Sequence, residues 1–563
     1  MSDVSASELV LRADPQDVPW DLTVEVVVAG SGAAGWAAAI GAALGGASVL
    51  VLEKESAIGG TTAKAGGGAD EIASTWLWIC NHPWLSSIGV HDPKDDALRY
   101  LARLARPERY HPDSPSLGLP EREFELLETF YDRGTEAVAA LDQCGALPLR
   151  PLEQTLDYFA DLPENATPRG RGLYFPRADG SEGTGADIIE SMRAAAVELG
   201  VQVRTSSPVR GVVIDDDGSA VGVSTGDRAS RMMLVRARGG IVMATGGFTR
   251  DPDLVRSHLR GPIVGGLASE GNDGDLVRIS GALGLDLANM NEAWYAPMVL
   301  DLSPYPLSAA FRLPGDSMIL VNRYGRRVVN EKTTYNEMTR AFFSWDPARA
   351  EYPNLPLVMI YDSAVSERCR AMPEDAPVTE GGGNPLPRIP GEGHELVADT
   401  WGELAVAIDA RLAEYESVLP GVRLAPEFVT NLSETLQRWT RMSELGIDQD
   451  FARGGTSTER RRSGAPRTPD MPNPTMHPFA ETGPYYAVVL VPGTLDTKGG
   501  PRIDSSARLI ASDGAPVPGL YGAGNAIASP AGQAYWAGGT TLGLAVTFGW
   551  IAGVDAAARG KAQ

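Results

Sequence analysis

The sequence predicts an α/β chain built on a Rossmann-like nucleotide-binding core, and three features predict it. An apolar run, Val26 to Ala29, reads as a buried strand. It runs into Gly30-x-Gly32-x-x-Gly35, with a small-residue stretch from Ala33 to Leu44 that reads as a helix. A second apolar strand, Ser48 to Leu52, closes on Glu53 and Lys54. Each part has a physical task. Gly30 permits a tight turn, Gly32 lets the backbone approach a pyrophosphate, and Gly35 lets the helix pack close to the strand. Ala33 and Ala34 occupy the first helical turn, whose N–H groups and positive dipole end suit phosphate. Glu53 can accept hydrogen bonds from an adenosine ribose.

The rest of the chain fits more than one core. At 563 residues it needs several domain-sized units. Directly after Glu53, the run Gly59-Gly60-Thr61-Thr62 through Gly66 and Gly67 suits a loop lying against a flat ligand, where side chains would collide. Helices are expected over Asp96–Ala105, Pro120–Gln143 and Asp187–Leu199, and a small sheet over 201–238. Gly240 to Gly247 repeats the buried strand with a glycine turn at Ala244-Thr245-Gly246. Strands are expected at Ile319–Asn322, Val328-Val329 and Leu357–Tyr361, and helices at Trp401–Glu416 and Ala425–Leu445. Gly519 to Asn525 is a third strand with a glycine turn, at Gly524-Asn525, and Thr540–Ala558 a terminal helix.

The formal charge of −23 argues against nucleic acid and against an anionic membrane surface as partners. Three cysteines, Cys80, Cys144 and Cys369, form no CxxC pair, which excludes a disulfide framework and points to a reduced, cytoplasmic compartment. Six scattered histidines lack metal-ligand spacing, so no metal site is expected. The N-terminus lacks signal-peptide architecture. The nearest approach to a membrane segment, Thr540 to Ala552, is too short to span.

Taken together, several motifs place the chain beside a known family. The Gly30–Gly35 fingerprint, Gly59-Gly60-Thr61, Ala244-Thr245-Gly246-Gly247, Asn330-Glu331, Thr497-Lys498-Gly499-Gly500 and Gly519 to Asn525 occur in the order seen in the fumarate reductase/succinate dehydrogenase flavoprotein superfamily. Within it the chain most resembles 3-ketosteroid Δ1-dehydrogenases, from about residue 21 to 557. The resemblance implies a GR2-type FAD-binding domain with an inserted α+β capping domain. The expected division is a lead-in over 1–20, FAD-binding segments over 21–296 and 477–563, and a catalytic domain over 297–476. It also implies FAD contacts at the glycine turns already named and at Asp275, Thr541 and Leu542. The last two begin the terminal helix, whose dipole would face the flavin's pyrimidine edge. No histidine lies in Thr61 to Gly67, where the succinate dehydrogenase branch attaches its flavin, so FAD is expected to be non-covalent.

The segment Tyr535 to Gly539 is similar to the stretch in which the family's Tyr hydroxyl and Gly N–H bind the substrate's C3 carbonyl oxygen, with Trp536-Ala537 where the family has Pro-Gly. A proton α to a ketone becomes removable when donors are aimed at the enolate oxygen. Tyr335 stands where fumarate reductases place an arginine and ketosteroid dehydrogenases a tyrosine base. A phenol is a weak base at neutral pH unless its anion is stabilised, and Tyr158, in a segment resembling the family's Asp-Tyr-Tyr/His, is the candidate helper. The resemblance thus implies dehydrogenation beside a ring ketone, most simply 3-ketosteroid 1-dehydrogenation, with Trp294, Tyr295, Phe342 and Phe343 as candidate pocket walls. The electron acceptor is left open. The alternatives are a Δ4-type ketosteroid dehydrogenase, a flavin-dependent reductase of a fumarate- or urocanate-like enoate using Arg323, Arg326 or Arg340 as its clamp, or an FAD-binding protein without turnover.

Overall fold

In the computed structural model the described residues are 9–66, 74–152, 155–167, 169–226, 232–302, 309–371, 386, 393–462, 467–468 and 471–562. The chain forms two compact units. One comprises Met1–Leu259, Ala268–Trp294 and Asp496–Gln563, the other Arg260–Leu267 and Tyr295–Leu495.

The first unit is organised by a nine-stranded sheet. At its centre the strand Leu22–Ala29 lies parallel to Val49–Leu52 on one side and to Met233–Met243 on the other, with Val28 opposite Val51 and Val242. Pro516–Gly522 joins the far side of Met233–Met243, again parallel, with Met243 opposite Gly522. The central strands are buried on both faces, which is why their sequences are continuous apolar runs and not alternating ones. The registers have a direct consequence. Ala29, Leu52, Met243 and Gly522 end in line, so the turns that follow them all leave the same carboxyl edge of the sheet. That edge is where open α/β sheets bind ligands.

Two glycine-rich helices cover the sheet. The terminal helix runs Thr540–Ala562, longer than the sequence suggests, and lies against Ala33–Leu44. A Cβ on Gly549 would fall 2.3 Å from the Ala34 carbonyl oxygen, and one on Gly553 2.0 Å from that of Ala38, so the helix backbones touch. At 23 residues the helix is long and apolar enough to cross a membrane by length and composition, contrary to the shorter span read from sequence. Its apolar character is accounted for by burial against its neighbours within the unit.

In the second unit, Tyr485–Leu490 pairs antiparallel with Leu357–Asp362, which pairs with Met318–Asn322. Gly265–Gly266 adds in parallel at Gly493–Thr494. This pairing holds the chain in the second unit to Leu495, beyond the expected return at 477. Val328-Val329 forms no strand: the chain turns at Gly325 and, among the described residues, makes a single bridge, Arg327 to Val321. A polar cluster follows the turn. Arg327 bonds Glu331 (Nε to Oε1, 2.8 Å) and Asp448 (2.9 Å), and buried Arg453 bonds Glu331 (3.0 Å). Burial alone would push the Glu331 carboxyl up, but the Arg327 and Arg453 guanidiniums outweigh it and hold it below the usual range. The Asn330-Glu331 motif is thereby anchored just before Tyr335.

Candidate active site

The glycine turn after the first strand is made of backbone contacts. Gly30 has φ +102°, and a Cβ there would lie 2.3 Å from the Ala244 carbonyl oxygen. A Cβ on Gly35 would lie 2.0 Å from the carbonyl of Gly30. Gly32 caps the following helix without any side-chain cap. Thr62 Oγ1 accepts from the Ala33 N–H at 3.2 Å, tying the short helix Gly60–Lys64 to this turn. Glu53 is buried, and its carboxylate accepts from the N–H (3.0 Å) and hydroxyl (2.5 Å) of Ser31 and from the Glu55 N–H (2.8 Å). Ser31 in turn accepts from the Gly59 N–H at 2.9 Å. Ser31, a residue between two fingerprint glycines that sequence reasoning passed over, therefore links the acid to the next loop.

The remaining nucleotide-side candidates gather at the same edge. Thr61 Oγ1 accepts from the Ser269 N–H and Asn272 Nδ2, both at 3.0 Å. Gly59, Gly60, Gly66, Gly246 and Gly524 all have positive φ. Lys54 and Asp275 bond each other at 2.9 Å, with Asp273 at 2.5 Å. Burial raises the Asp275 carboxyl and the Lys54 ammonium opposes it. Gly67 lies outside the described residues. The chief omission from the sequence reading is Asp496. This buried carboxylate accepts from the Gly247 N–H (3.0 Å), Asn272 Nδ2 (2.6 Å), Asn525 Nδ2 (3.1 Å) and the Thr249 hydroxyl (3.2 Å). It binds the second and third glycine turns together. Its only sequence signal is a lone acid at the end of an apolar strand.

Two buried hydroxyls at this edge, Thr245 Oγ1 and Thr541 Oγ1, have no hydrogen-bond partner among the described residues. Buried hydroxyls are normally satisfied. Together with the side-chain-free turns and the uncapped helix end, they fit a flat, polar ligand of the size and polarity of FAD.

The ring-ketone candidates of the first unit also come together. Tyr158 and Tyr535 meet edge-to-face at 5.6 Å between ring centroids, and Trp294 meets Tyr535 at 4.9 Å. The Tyr158 N–H donates to the Trp536 carbonyl at 3.0 Å. A Cβ on Gly538 would lie 3.3 Å from the Tyr158 hydroxyl. One on Gly539, at φ +94°, would lie 2.6 Å from the carbonyl carbon of Leu77. Trp536 turns away into the core, between Trp78 (5.6 Å) and Phe130 (5.9 Å), so the departure from Pro-Gly fills the support and not the tyrosine face. Beneath Tyr158, Asp157 accepts from Trp78 Nε1 (2.8 Å) and pairs with buried Arg171, which also grips Asp92 through two N–H groups.

Tyr335 belongs to the second unit. It opens the short helix Tyr335–Arg340, is buried, and packs on Phe311 at 4.8 Å. Asn336 Oδ1 accepts from the Tyr295 N–H at 3.1 Å, and Tyr295 packs on Phe343 at 5.1 Å. Phe342 is buried core. Arg323 pairs with Glu351 (3.2 Å), Arg326 bonds Asn431 (2.7 Å), and Arg340 faces Glu337 (3.5 Å). Among the described residues, no group of three or more His, Cys, Asp or Glu is placed to hold a metal ion.

The FAD binding domain family matches residues 25–542. The chain is 31% identical to the 4-oxocyclohexanecarboxylate 2-dehydrogenase of Sinomonas cyclohexanicum, covering 94% of this chain and 92% of that one. It is 30% identical to the 3-oxosteroid 1-dehydrogenase of Mycolicibacterium smegmatis, covering 96% and 98%. In fold it is similar to the 3-ketosteroid Δ1-dehydrogenase of Sterolibacterium denitrificans, with TM-score 0.77 at 24% identity over 95% of this chain and 99% of that one. The chain belongs to the FAD binding domain family and is a flavin-dependent dehydrogenase of its ketosteroid and cyclic oxo-acid type.

Proposed function

We propose that the chain introduces a C=C bond next to a ring ketone, with a 3-ketosteroid dehydrogenated at C1–C2 as its substrate. The observation that carries this reading is the meeting of Tyr158 and Tyr535 at 5.6 Å on the Gly538-Gly539 turn. Glycines there leave no side chain between the turn and the phenols. The Tyr535 hydroxyl and the Gly539 N–H hold the ketone oxygen and stabilise the charge that grows on it as the α proton leaves. By the family resemblance Tyr335 is the base for that proton, and Tyr158 is a second phenol beside Tyr535. FAD, held non-covalently, supplies the acceptor for the hydride from the neighbouring carbon. Gly30, Gly32, Ala33 and Ala34 would hold its pyrophosphate, Glu53 its ribose, and Thr541 and Leu542 its ring.

The pairing of Arg323, Arg326 and Arg340 with Glu351, Asn431 and Glu337 speaks against a clamp for a fumarate-like acid. A carboxylated cyclohexanone is the second reading, favoured by the 31% relative's activity. Anaerobic mixing of the yellow protein with 4-androstene-3,17-dione and with 4-oxocyclohexanecarboxylate tests both. Bleaching by the steroid supports the first reading, and bleaching by the keto acid alone supports the second. Turnover confined to reduced dye plus fumarate would refute both.

A further inference from the structure

The lysine of the Thr497-Lys498-Gly499-Gly500 motif plays no part in the mechanism above, yet it is among the most completely buried side chains of the first unit. Its ammonium donates to the carbonyls of Gln533 (3.2 Å) and Ala534 (2.6 Å), the two residues that lead into Tyr535. It also stands 4.0 Å from the centroid of the Trp294 ring, the same indole that packs on Tyr535 at 4.9 Å. The Lys498 N–H donates to the Glu292 carbonyl (2.9 Å), and the Ser529 N–H donates to the Lys498 carbonyl (2.9 Å), so the stem is fixed on both sides. Trp294 is held in turn through Nε1 to Asn525 Oδ1 at 2.9 Å.

These contacts converge on one residue. Tyr535 follows two peptides whose carbonyls are pinned by an ammonium, and its ring leans on an indole held by the same ammonium. An isolated lysine costs free energy to bury, and this one returns charge-assisted hydrogen bonds to the two carbonyls that precede Tyr535. We propose that Lys498 is a positioning residue for Tyr535. It fixes the approach of the chain and the tilt of the ring so that the hydroxyl stays aimed at the ketone oxygen. The proposal rests on the role assigned to Tyr535 above.

The test is a double-mutant cycle on the FAD-loaded full chain. Lys498→Met and Lys498→Arg are made in the native background and with Tyr535→Phe. Stopped-flow bleaching is followed with whichever ring ketone reduces the native protein, beside bound-FAD absorbance and thermal midpoint. A misplaced donor costs on the order of 100-fold in rate. Lys498→Met should therefore lower the bleaching rate by about that factor with KM changed less than about threefold, and Lys498→Arg should recover most of it. In the Tyr535→Phe background neither change should cost more than about twofold, since residues that act as one unit are not additive. If Lys498→Met does not retain FAD, Lys498→Gln, which also lacks the ammonium, carries the same comparison in the two backgrounds. Equal losses in both backgrounds, or no loss in the native one, overturn the proposal. If Tyr535→Phe itself bleaches at the native rate, the fault lies with the role given to Tyr535, and Lys498 positions nothing catalytic.

Discussion

Replacing Arg171 by Met removes the guanidinium that lies between the buried carboxylates of Asp92 and Asp157, and its effect can be worked out from the structure. Arg171 and Asp92 are fully inaccessible and Asp157 nearly so. Three N–H groups are engaged. Nε and Nη2 grip Asp92 at 2.8 and 2.7 Å, and Nη1 bonds Asp157. Met fills a similar volume beside Trp78 and Tyr100, whose rings lie 5.5 and 5.4 Å from the guanidinium carbon, so the loss is chiefly electrostatic. Breaking a buried pair by deleting one partner costs about 3–5 kcal/mol. The deficit depends on pH. Burial raises the Asp157 carboxyl while Arg171 opposes it. Without Arg171 the rise is larger, so the folded protein binds a proton that the unfolded chain, at the ordinary Asp value, has already lost. Stability then falls as pH rises from the unfolded pKa towards the folded one, by up to about 1.4 kcal/mol per pH unit. Denaturant unfolding followed by tryptophan fluorescence at pH 5 and pH 7 should show a smaller deficit at pH 5. Because Tyr158 follows Asp157 directly, turnover should fall as well. A loss below about 1 kcal/mol, or a deficit that does not shrink in acid, would refute the reasoning.

Tyr535→Phe should leave FAD content unchanged and lower the rate of reduction by about 100- to 1,000-fold, the usual cost of one oxyanion donor, as read by stopped-flow bleaching. Gly539→Ala combines a left-handed backbone with a 2.6 Å contact to Leu77 and should abolish turnover without preventing FAD binding, measured by bound-flavin absorbance and activity. Gly553→Ala places a methyl 2.0 Å from the Ala38 carbonyl and should part the two helices, lowering the thermal midpoint and the bound FAD together. The second unit should be acid-labile. Glu331 and Asp448 both titrate below their ordinary values because, despite burial, Arg327 holds them. Their stabilisation is present above the unfolded values near pH 4 and is lost as pH falls through the folded ones, which Trp439 fluorescence in a pH titration would report.

What the sequence revealed and what it hid divide along a physical line. The nucleotide edge was legible because its requirements are local. Gly30, Gly35 and Gly539 sit where a Cβ would strike backbone, and a strand buried on both faces must be apolar throughout. Asp496, Arg171 and Ser31 were not legible, because their importance comes from partners brought up by the fold and leaves no periodicity behind. The extent of the second unit was missed for the same reason. Tyr485–Thr497 reads as any buried strand, and only its pairing with Leu357–Asp362 shows to which unit its first part belongs. Tyr158 carried a faint signal, and its place beside Tyr535 depends on one backbone bond to Trp536.

The parallel strand Pro516–Gly522 and the helix Thr540–Ala562 complete a fold whose other half was made some five hundred residues earlier. A chain synthesised from its N-terminus therefore carries the Gly30 turn long before the elements that close over it exist. Until the helix Thr540–Ala562 packs on Ala34 and Ala38, the helix that follows the Gly30 turn lacks its neighbour. If the flavin seats at this edge, the helix is a latch, and its loss should release the flavin while leaving the fingerprint intact.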